Sequence, residues 1–455
     1  MKTCFRDATV ILHRDDRPVV LEHHSIVVED ALVAALGPAG DIDRLVASAP
    51  PDQILDASRH IIVPGLINTH HHLFQSLTRC LQPVQTAPLF EWLTQLYQRW
   101  QHLDYETHKL AAQVSIAELL LGGCTTTSDH HYLFPPARDI RLEAVLEAAD
   151  ELGIRIHACR GSMSVGQSKG GLPPDSCAED EQRVLADCER VLDRFHDPRP
   201  GSMRRIDLAP CAPFNVSPEL LVDTAMLARQ RGVLLHTHAA ETLDEERYCL
   251  DRFGCRPIEY LRRHHWLGPD VYLAHCVHLN AEEIELLART RTAVAHCPSS
   301  NMRLGSGPPP IRDMLDRGVV VGLGVDGSSS NDGGSLTVEM RQSLLLQRVV
   351  RGAGAMTPAE AFSMATRGGA AVLGRPELGN IEPGCPADLV LYRADDIALA
   401  GAVAHDPLAA LVLCQPPRPD RVLVHGRTVV VDGRLTRVDA GALAERFNTV
   451  ARRFR

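Results

Sequence analysis

The chain has 455 residues and 45% hydrophobic content, enough for one large domain with a smaller one beside it. Its formal net charge of -10 is mild and spread along the chain, which argues against a nucleic-acid-binding surface. No apolar run approaches membrane-spanning length, and the first residues lack the apolar core of a secretion signal. The 13 cysteines include no C-x-x-C pair. We therefore expect reduced thiols and a cytoplasmic location.

The first 60 residues predict short β segments at residues 9–12, 25–28 and 32–36, separated by polar turns. After that, short apolar runs alternate with amphipathic segments of helix length. With the strand before His70 counted, the predicted strands number eight, the others lying near residues 123–129, 154–160, 206–210, 232–238, 271–275, 292–296 and 319–326. Eight such units between residues 61 and 374 predict an α/β fold of the (β/α)8, TIM-like barrel type.

A doubly wound sheet is the alternative fold, but polar residues end nearly every predicted strand, as expected at the mouth of a barrel. From about residue 375 the short-strand pattern returns, at residues 388–392 and 421–430. We predict that residues 1–60 and 375–455 form one small composite β-sandwich domain from both termini. Residues 170–176 are predicted to form a loop over the mouth.

Five polar residues at strand ends are the candidate centre of the site: His70, His72, His238, His275 and Asp326. Because side chains alternate along a strand, His70 and His72 point to the same side. Each residue also has an ordinary interpretation, since Asp326 could cap a turn and His275 could be a core histidine. Together, imidazoles and a carboxylate suit Zn²⁺ or Fe²⁺ better than Ca²⁺ or Mg²⁺.

A carboxyl group follows the candidate ligand His238 by three residues, at Glu241. Where the strand breaks into its loop, this offset can bring the carboxylate beside the metal. A metal lowers the pKa of bound water to about 7. Glu241 could then take the proton of that water and deliver it elsewhere.

Several motifs resemble those of the amidohydrolase superfamily, within its cytosine/guanine deaminase-like branch. Residues 64–72 are similar to P-G-x-I-D-x-H-x-H, with Asn68 in place of Asp, and residues 238–241 to H-x-x-E. Further similar segments are residues 274–276, 324–327 and 379–390, the last resembling G-x-I-x-x-G-x-x-A-D-L-V. The resemblance implies one divalent metal, Zn²⁺ with Fe²⁺ as the alternative, held by His70, His72, His238 and Asp326. It also implies Glu241, His275 and Asp326 as the catalytic residues, with Glu241 and His275 handling protons.

The three lysines bear on the number of metals. Binuclear members of the superfamily bridge two metals with a carboxylated lysine at the end of strand four. Here that strand leads into residues 210–215, which contain no lysine, and neither Lys109 nor Lys169 ends a predicted strand. A mononuclear site follows. The carboxyl group of Glu241 favours deamination over dechlorination, because ammonia needs a proton donor to leave and chloride does not.

Candidate substrate-binding residues are Gln75, Arg160, Tyr132, Cys211 and Trp92. The amide of Gln75 and the guanidinium of Arg160 could face a lactam or ring carbonyl. Tyr132 and Trp92 could contact the ring or only pack.

The segment around Cys211 lacks the Arg-Phe pair of guanine deaminases, which disfavours guanine itself. Residues 160–174 are similar to the loop of 8-oxoguanine deaminases. We therefore favour hydrolysis of 8-oxoguanine to urate and ammonia. Isoxanthopterin is the close rival, and hydroxytriazines and adenosine-type nucleosides rank lower.

Two other classes of protein fit the sequence less well. Residues 322–327 spell G-x-G-x-x-G, but a loop follows them instead of the helix that a dinucleotide site needs. A catalytically dead barrel acting as a scaffold would be expected to lack some ligand candidates, and none is missing. The expected partners are a small heterocyclic substrate and other copies of the chain in a homo-oligomer, with no nucleic acid and no membrane.

Overall fold

The computed structural model describes residues 1–414 and 417–455. The N-terminal segment contains β1 (Lys2–Arg14), β2 (Arg17–Glu29), β3 (Leu32–Pro38), α1 (Ala39–Ser48), β4 (Gln53–Asp56) and β5 (His60–Pro64). Strand β2 pairs antiparallel with β1 and β3, whereas β4 and β5 run parallel to β1. The three predicted N-terminal β segments lie within β1, β2 and β3.

The central part is a ring of parallel strands, which confirms the predicted barrel. In chain order these are β6 (Leu66–Asn68), β7 (Cys124–His131), β8 (Arg155–Ser162), β9 (Arg204–Pro210), β10 (Leu235–Ala239), β11 (Val271–His275), β12 (Ala293–His296) and β13 (Val321–Leu323). Neighbours in sequence are neighbours in the sheet. The ring closes where the Thr69 N–H donates to the Leu323 carbonyl at 2.9 Å and the Asp326 N–H to the His70 carbonyl at 3.0 Å.

Close approach at this seam explains two residues of the G-x-G-x-x-G string. A Cβ on Gly322 would lie 2.7 Å from Cγ2 of Thr69, and one on Gly324 would lie 2.8 Å from Cβ of His70. Side chains at these positions would push β6 and β13 apart. The next α-helix begins only at Leu336. The glycines therefore serve barrel closure, and the rejected dinucleotide interpretation gains nothing from them.

Helices surround the barrel and connect its strands: α2 (Leu89–Trp100), α3 (Tyr105–Leu121), α4 (Glu143–Leu152), α5 (Glu181–Phe195), α6 (Pro218–Arg231), α7 (Leu243–Phe253), α8 (Pro257–Arg263), α9 (Ala281–Thr290), α10 (Pro298–Arg303), α11 (Ile311–Asp316), α12 (Leu336–Arg351), α13 (Pro358–Ser363) and α14 (Gly369–Val372). Many begin at a polar cap. Asp104 and Asn280 form capping boxes at α3 and α9, and the Ser217 hydroxyl accepts from Leu220 N–H at α6. These caps fix where each connection turns into its helix.

The chain then returns to the N-terminal sheet through β14 (Leu389–Arg393), α15 (Pro407–Leu413), β15 (Arg421–Val424), β16 (Arg427–Val431), β17 (Arg434–Leu435) and α16 (Ala440–Ala451). Strand β14 pairs antiparallel with β5, so both termini share one continuous sheet with its own buried apolar core. The apolar run at residues 61–63 belongs to this sheet, so the barrel sheet begins at Leu66. A buried ion pair between Arg155 of β8 and Asp388 ties the sheet to the barrel.

Among the helices of the described residues, none combines the length and the apolar character that a membrane crossing requires. The expected cytoplasmic location, the homo-oligomeric state and the domain boundaries drawn from the sequence stay predictions.

Candidate active site

The strand-end histidines and the aspartate converge on one point at the carboxyl end of the barrel. Of the five predicted residues, His70, His72 and His238 offer nitrogen atoms within 4.8 Å of one another, in a group that also includes His130, and His70, His275 and Asp326 form a second such group. Nε2 of His72 lies 3.1 Å from Nε2 of His238. Oδ1 of Asp326 lies 3.3 Å from Nε2 of His70 and 3.4 Å from Nε2 of His72. All five side chains are buried.

Hydrogen bonds behind the rings turn the Nε2 atoms toward this centre. Nδ1 of His72 donates to the carbonyl of His130 and Nδ1 of His238 to that of Cys211, each at 2.6 Å. A carbonyl oxygen can only accept, so both rings carry the proton on Nδ1 and leave Nε2 free as a ligand. Nδ1 of His275 lies 2.9 Å from Oδ1 of Asn301.

The carboxylate of Asp326 is held ionised and fixed in place. The hydroxyls of Ser300 and Ser330 donate to Oδ2 at 2.5 and 3.0 Å, and the Gly327 N–H donates to Oδ1 at 2.7 Å. Burial alone would raise the pKa of Asp326, but the neighbouring imidazoles of His70, His275 and His72 hold it well below its usual value. An ionised carboxylate of this kind is a good metal ligand.

The donor set fits a divalent metal. Burial lowers the pKa of His70 well below its usual value and that of His238 to about 3, so these imidazoles are neutral. Nε2 of His70 is buried and has no hydrogen-bond partner among the described residues. An unpartnered nitrogen beside an ionised carboxylate and two more bare nitrogens is what a Zn²⁺ or Fe²⁺ ligand set requires.

Glu241 and His275 stand at the edge of this cluster. Oε2 of Glu241 lies 3.7 Å from Nε2 of His275. Burial raises the pKa of Glu241 to about 7, opposed by His275. Burial lowers the pKa of His275, but Glu241, Asp326 and a hydrogen bond to Asn301 outweigh it and the net shift is upward. A carboxyl group with a pKa near neutrality can both accept and release a proton there.

The loop that carries Glu241 is fixed by Glu245. The carboxylate of Glu245 accepts the N–H groups of Ala240 and Glu241 at 2.9 and 2.7 Å, and Ala240 has a φ of 52°. The side chain of Thr242 caps α7 directly after this turn. The main chain is therefore held in a tight turn that places Glu241 beside His275.

A pocket opens over the cluster. Helix α2 forms one wall and the segment after β9 another, and the lining also includes Glu241, His275 and Asp326. The remaining lining residues are mostly apolar or aromatic: His72, Gln75, Leu89, Trp92, Leu93, Tyr97, Tyr132, Cys211, Ala212, Phe214, His238, Leu304 and Ser330. An apolar pocket with a few converging polar groups is typical of a small-molecule site.

The comparison with known families agrees with the motifs. The model of the Amidohydrolase family matches residues 61–429. The chain belongs to the amidohydrolase family. This confirms the family predicted from the motifs and the prediction of a hydrolase that acts on carbon–nitrogen bonds.

The chain is similar in sequence to two characterised amidohydrolases and in structure to a third protein. The 8-oxoguanine deaminase of Pseudomonas aeruginosa is 47% identical over 426 residues, 94% of each chain. An isoxanthopterin deaminase from an unknown prokaryotic organism is 36% identical over 92% of this chain and 91% of the relative. The structure of an atrazine chlorohydrolase from Arthrobacter aurescens TC1, complexed with zinc, is 34% identical with a TM-score of 0.92, covering 99% of this chain and 100% of that one.

Four of the five residues predicted to bind the amidohydrolase substrate line the pocket: Gln75, Tyr132, Cys211 and Trp92. Two of them present unused polar atoms. Oε1 of Gln75 and Nε1 of Trp92 are buried without a hydrogen-bond partner among the described residues. Sγ of Cys211 accepts from Nδ2 of Asn215 at 3.4 Å. Contact of these residues with substrate stays a prediction.

The fifth residue, Arg160, is not brought to the pocket, so the predicted contact with a ring carbonyl is wrong. Its Nη2 donates to Glu179 and its Nε to Asp187, each at 2.6 Å. The guanidinium carbon lies 3.7 Å from the centre of the Phe134 ring. In β8, Cys159 faces the barrel interior, where it contacts Ser128, so Arg160 must point outward to α5. The amidohydrolase uses this arginine to hold its framework together.

The sequence interpretation missed several residues that the amidohydrolase fold brings to the site. Tyr97 lines the pocket, and Asn301, Ser300 and Ser330 bond to predicted site residues. The remaining one, His236, hydrogen-bonds to His70. A signal was present only for His236, which alternates with His238 and so points into the same barrel interior. The others belong to helices and loops whose packing no local pattern reveals.

Proposed function

We propose that the chain is a metal-dependent deaminase of an aminated purine-like ring, with 8-oxoguanine as substrate and urate and ammonia as products. One divalent metal per chain, Zn²⁺ or alternatively Fe²⁺, would be held by His70, His72, His238 and Asp326. The deaminases among the relatives support the broader statement that the chain is a hydrolytic deaminase of a heterocycle. The observation that carries the proposal is a carboxyl group, Glu241, buried in the pocket beside the His–Asp cluster.

A divalent metal bound at the cluster would supply an activated water at neutral pH. The chain's own residues would handle the protons. The hydrolysis replaces the ring C–NH₂ bond by a C–O bond, and the amino group leaves as ammonia. Of the two protons of the water, one must therefore move to the leaving nitrogen and the other to the ring nitrogen beside the attacked carbon.

Glu241 is suited to move them because its pKa, raised by burial to about 7, lies at the operating pH. As a base it would take a proton from water, and as an acid it would give that proton to the leaving nitrogen. Nε2 of His275 lies 3.7 Å from this carboxylate and 4.0 Å from Oδ2 of Asp326. A cationic His275 at that point would stabilise negative charge that develops on the attacking oxygen.

Ring recognition would fall to the unused polar atoms of the pocket. Oε1 of Gln75 can accept from a ring N–H, and Nε1 of Trp92 can donate to a ring carbonyl or nitrogen. A polar atom left unpaired in a buried site is costly, so these atoms would favour a ring with matching edges. An oxidised purine carries such lactam edges beside its amino group.

Isoxanthopterin is the second candidate, favoured by the 36% identical deaminase relative. Its ring also joins an amino group to a lactam, so the same pocket atoms would serve. Halide displacement, as in the structurally similar atrazine chlorohydrolase, needs no proton donor to the leaving group. In that reaction Glu241 would have no leaving group to protonate.

The test is ammonia release by the metal-loaded protein from 8-oxoguanine, isoxanthopterin, guanine, cytosine and a hydroxytriazine at equal concentration. We expect the highest kcat/KM on 8-oxoguanine, with urate formed in equal amount to ammonia. If kcat/KM is highest on isoxanthopterin, the proposed substrate is wrong but the proposed reaction, hydrolytic deamination, still stands. Ammonia from none of these rings would contradict the proposal.

A further inference from the structure

His236 makes a contact to the candidate ligand His70 that differs from the contacts behind the other ligands. Nδ1 of His70 lies 2.8 Å from Nε2 of His236. Behind His72 and His238 the corresponding partner is a main-chain carbonyl, which can only accept. Behind His70 it is a second imidazole, which can accept or donate. The direction of this bond therefore decides which nitrogen of His70 is bare.

The position of Tyr272 settles the direction. Nδ1 of His236 lies 2.8 Å from the main-chain oxygen of Tyr272 and must donate to it. His236 is fully buried, and with Nδ1 used by that carbonyl, Nε2 is the ring nitrogen left to meet Nδ1 of His70. Its Nε2 is then an acceptor. Nδ1 of His70 must carry a proton, and Nε2 of His70 must be bare.

The ring of His236 is also fixed in orientation. It stacks on the ring of Tyr272 with 3.9 Å between centroids and 12° between planes. The Tyr272 hydroxyl is held in turn, donating to Asp207 at 3.0 Å and lying 3.0 Å from the hydroxyl of Ser128. Since this chain of contacts lies inside the barrel, below the pocket, none of its members reaches a substrate.

We propose that His236 is a positioning residue that selects the tautomer of His70, so that Nε2 of His70 faces the metal as a bare ligand. The proposal rests on the proposed metal site and goes beyond it by assigning a role to a residue that is neither ligand nor pocket wall. Groups behind a ligating histidine typically change metal affinity by about 10–100-fold. His236 should therefore act on affinity without touching the metal.

Two substitutions separate the acceptor from the ring. His236→Phe keeps a flat ring that can stack on Tyr272 but removes the acceptor. His236→Gln loses the ring but places an amide oxygen near the former Nε2, where it can accept from His70. The control is His296→Phe, because His296 is another buried strand-end histidine and its side chain makes no hydrogen bond within the described residues.

Zn²⁺ affinity, measured by competition with a chromogenic chelator, is the readout. We expect His236→Phe to bind Zn²⁺ about 10–100-fold more weakly than wild type. His236→Gln should stay within about threefold, and His296→Phe should match wild type. Wild-type affinity in His236→Phe would overturn the proposal. So would equal losses in the Phe and Gln variants, because the ring and not the acceptor would then matter.

A second measurement needs no variant to fold and no metal to bind. In the metal-free wild-type protein labelled with ¹⁵N-histidine, long-range ¹H–¹⁵N spectra report the tautomer of each ring. We expect His70 protonated on Nδ1 and His236 protonated on Nδ1. A His70 protonated on Nε2 would overturn the inference. A wild-type protein that binds no Zn²⁺ but shows the expected tautomers would instead count against the proposed function alone.

Discussion

Oε2 of Glu241 and Nε2 of His275 lie 3.7 Å apart, and both side chains are buried in the wall of the pocket. Each group changes the other's proton affinity: His275 lowers the pKa of Glu241, and Glu241 raises that of His275. Each group therefore favours the charged form of the other, next to the cluster of candidate ligands. This pair is the basis for assigning proton transfer to Glu241.

Glu241→Gln should abolish most deamination while leaving the metal in place. The amide keeps the shape of the side chain but cannot accept and release a proton. Activity on an amino-substituted ring should fall by about 10²–10⁴-fold. Metal content by elemental analysis should equal that of wild type, because Glu241 is not among the proposed ligands.

A halogen-substituted ring provides the internal comparison for this variant. Halide leaves without a proton, so its displacement should suffer much less than the loss of ammonia. Equal losses on both leaving groups would mean that Glu241 acts only on the attacking water. The second half of its proposed role would then be wrong.

Gln75 and Arg160 should respond differently to truncation. Gln75→Ala should lower kcat/KM, because a buried polar partner of the ring is lost. The activation free energy for kcat/KM should rise by about 1–3 kcal/mol. Arg160→Ala should instead lower the free energy of unfolding by about 3–5 kcal/mol, because it leaves Glu179 buried without its partner. Chemical denaturation and steady-state kinetics on both variants distinguish the two roles. A fully stable Arg160→Ala variant with reduced kcat/KM would mean that Arg160 contacts the substrate after all.

Gly327 leaves the space that the Gln75 amide occupies. A Cβ at residue 327 would overlap with Oε1 and Cδ of Gln75. Gly327→Ala should therefore displace the amide and lower kcat/KM about as much as Gln75→Ala does. The activation free energy should rise by the same amount of about 1–3 kcal/mol. The double variant should be no worse than either single one, since both remove the same contact. Gly333→Ala is the matched control, because its Cβ would meet only Oδ1 of Asn331 at 3.8 Å.

Buried neutral histidines should make the protein sensitive to acid. Burial lowers the pKa of His108 from 6.5 to about 3, and its ring stacks on that of His131 at 3.9 Å. In the unfolded chain His108 binds a proton below about pH 6.5, whereas in the folded chain it stays neutral down to about pH 3. The stability that His108 contributes is thus complete above pH 6.5 and is lost as the pH falls toward 3.

Substitution of His108 by Phe should keep the stacking and remove this proton linkage. Between pH 7 and pH 5 the free energy of unfolding should drop by about 2 kcal/mol less in His108→Phe than in wild type. Urea denaturation at the two pH values measures the difference. The exposed His102, replaced by Ala, serves as the control and should show the wild-type drop. An unchanged drop in His108→Phe would show that other groups govern acid unfolding.

The sequence was sufficient for the barrel and for the position of the ligand candidates, because both follow from local alternation. His70 and His72 lie just beyond β6, and they still converge as strand alternation predicts for residues two apart. The ends of parallel barrel strands share one face, so His238, His275 and Asp326 were expected nearby. These rules need no knowledge of how helices pack.

Arg160 shows where such rules fail. Its place at a strand end suggested the mouth of the barrel, but the parity of β8 turns it outward to Asp187 of α5. Parity can be assigned only once one residue of the strand is known to face inward, as Cys159 does. Helix α2, which also adds Leu89 and Tyr97 to the pocket wall, is a similar case, because its placement depends on tertiary packing.

Metal stoichiometry joined to ammonia release tests the central claim most directly. Protein stripped with a chelator and then titrated with Zn²⁺ should regain 8-oxoguanine deamination in proportion to metal bound, reaching a maximum at about one equivalent per chain. Substitution of Asp326 by Ala should remove both the bound metal and the activity while the barrel stays folded, as circular dichroism would report. Two tightly bound equivalents, or ammonia release that persists in the stripped protein, would contradict the account.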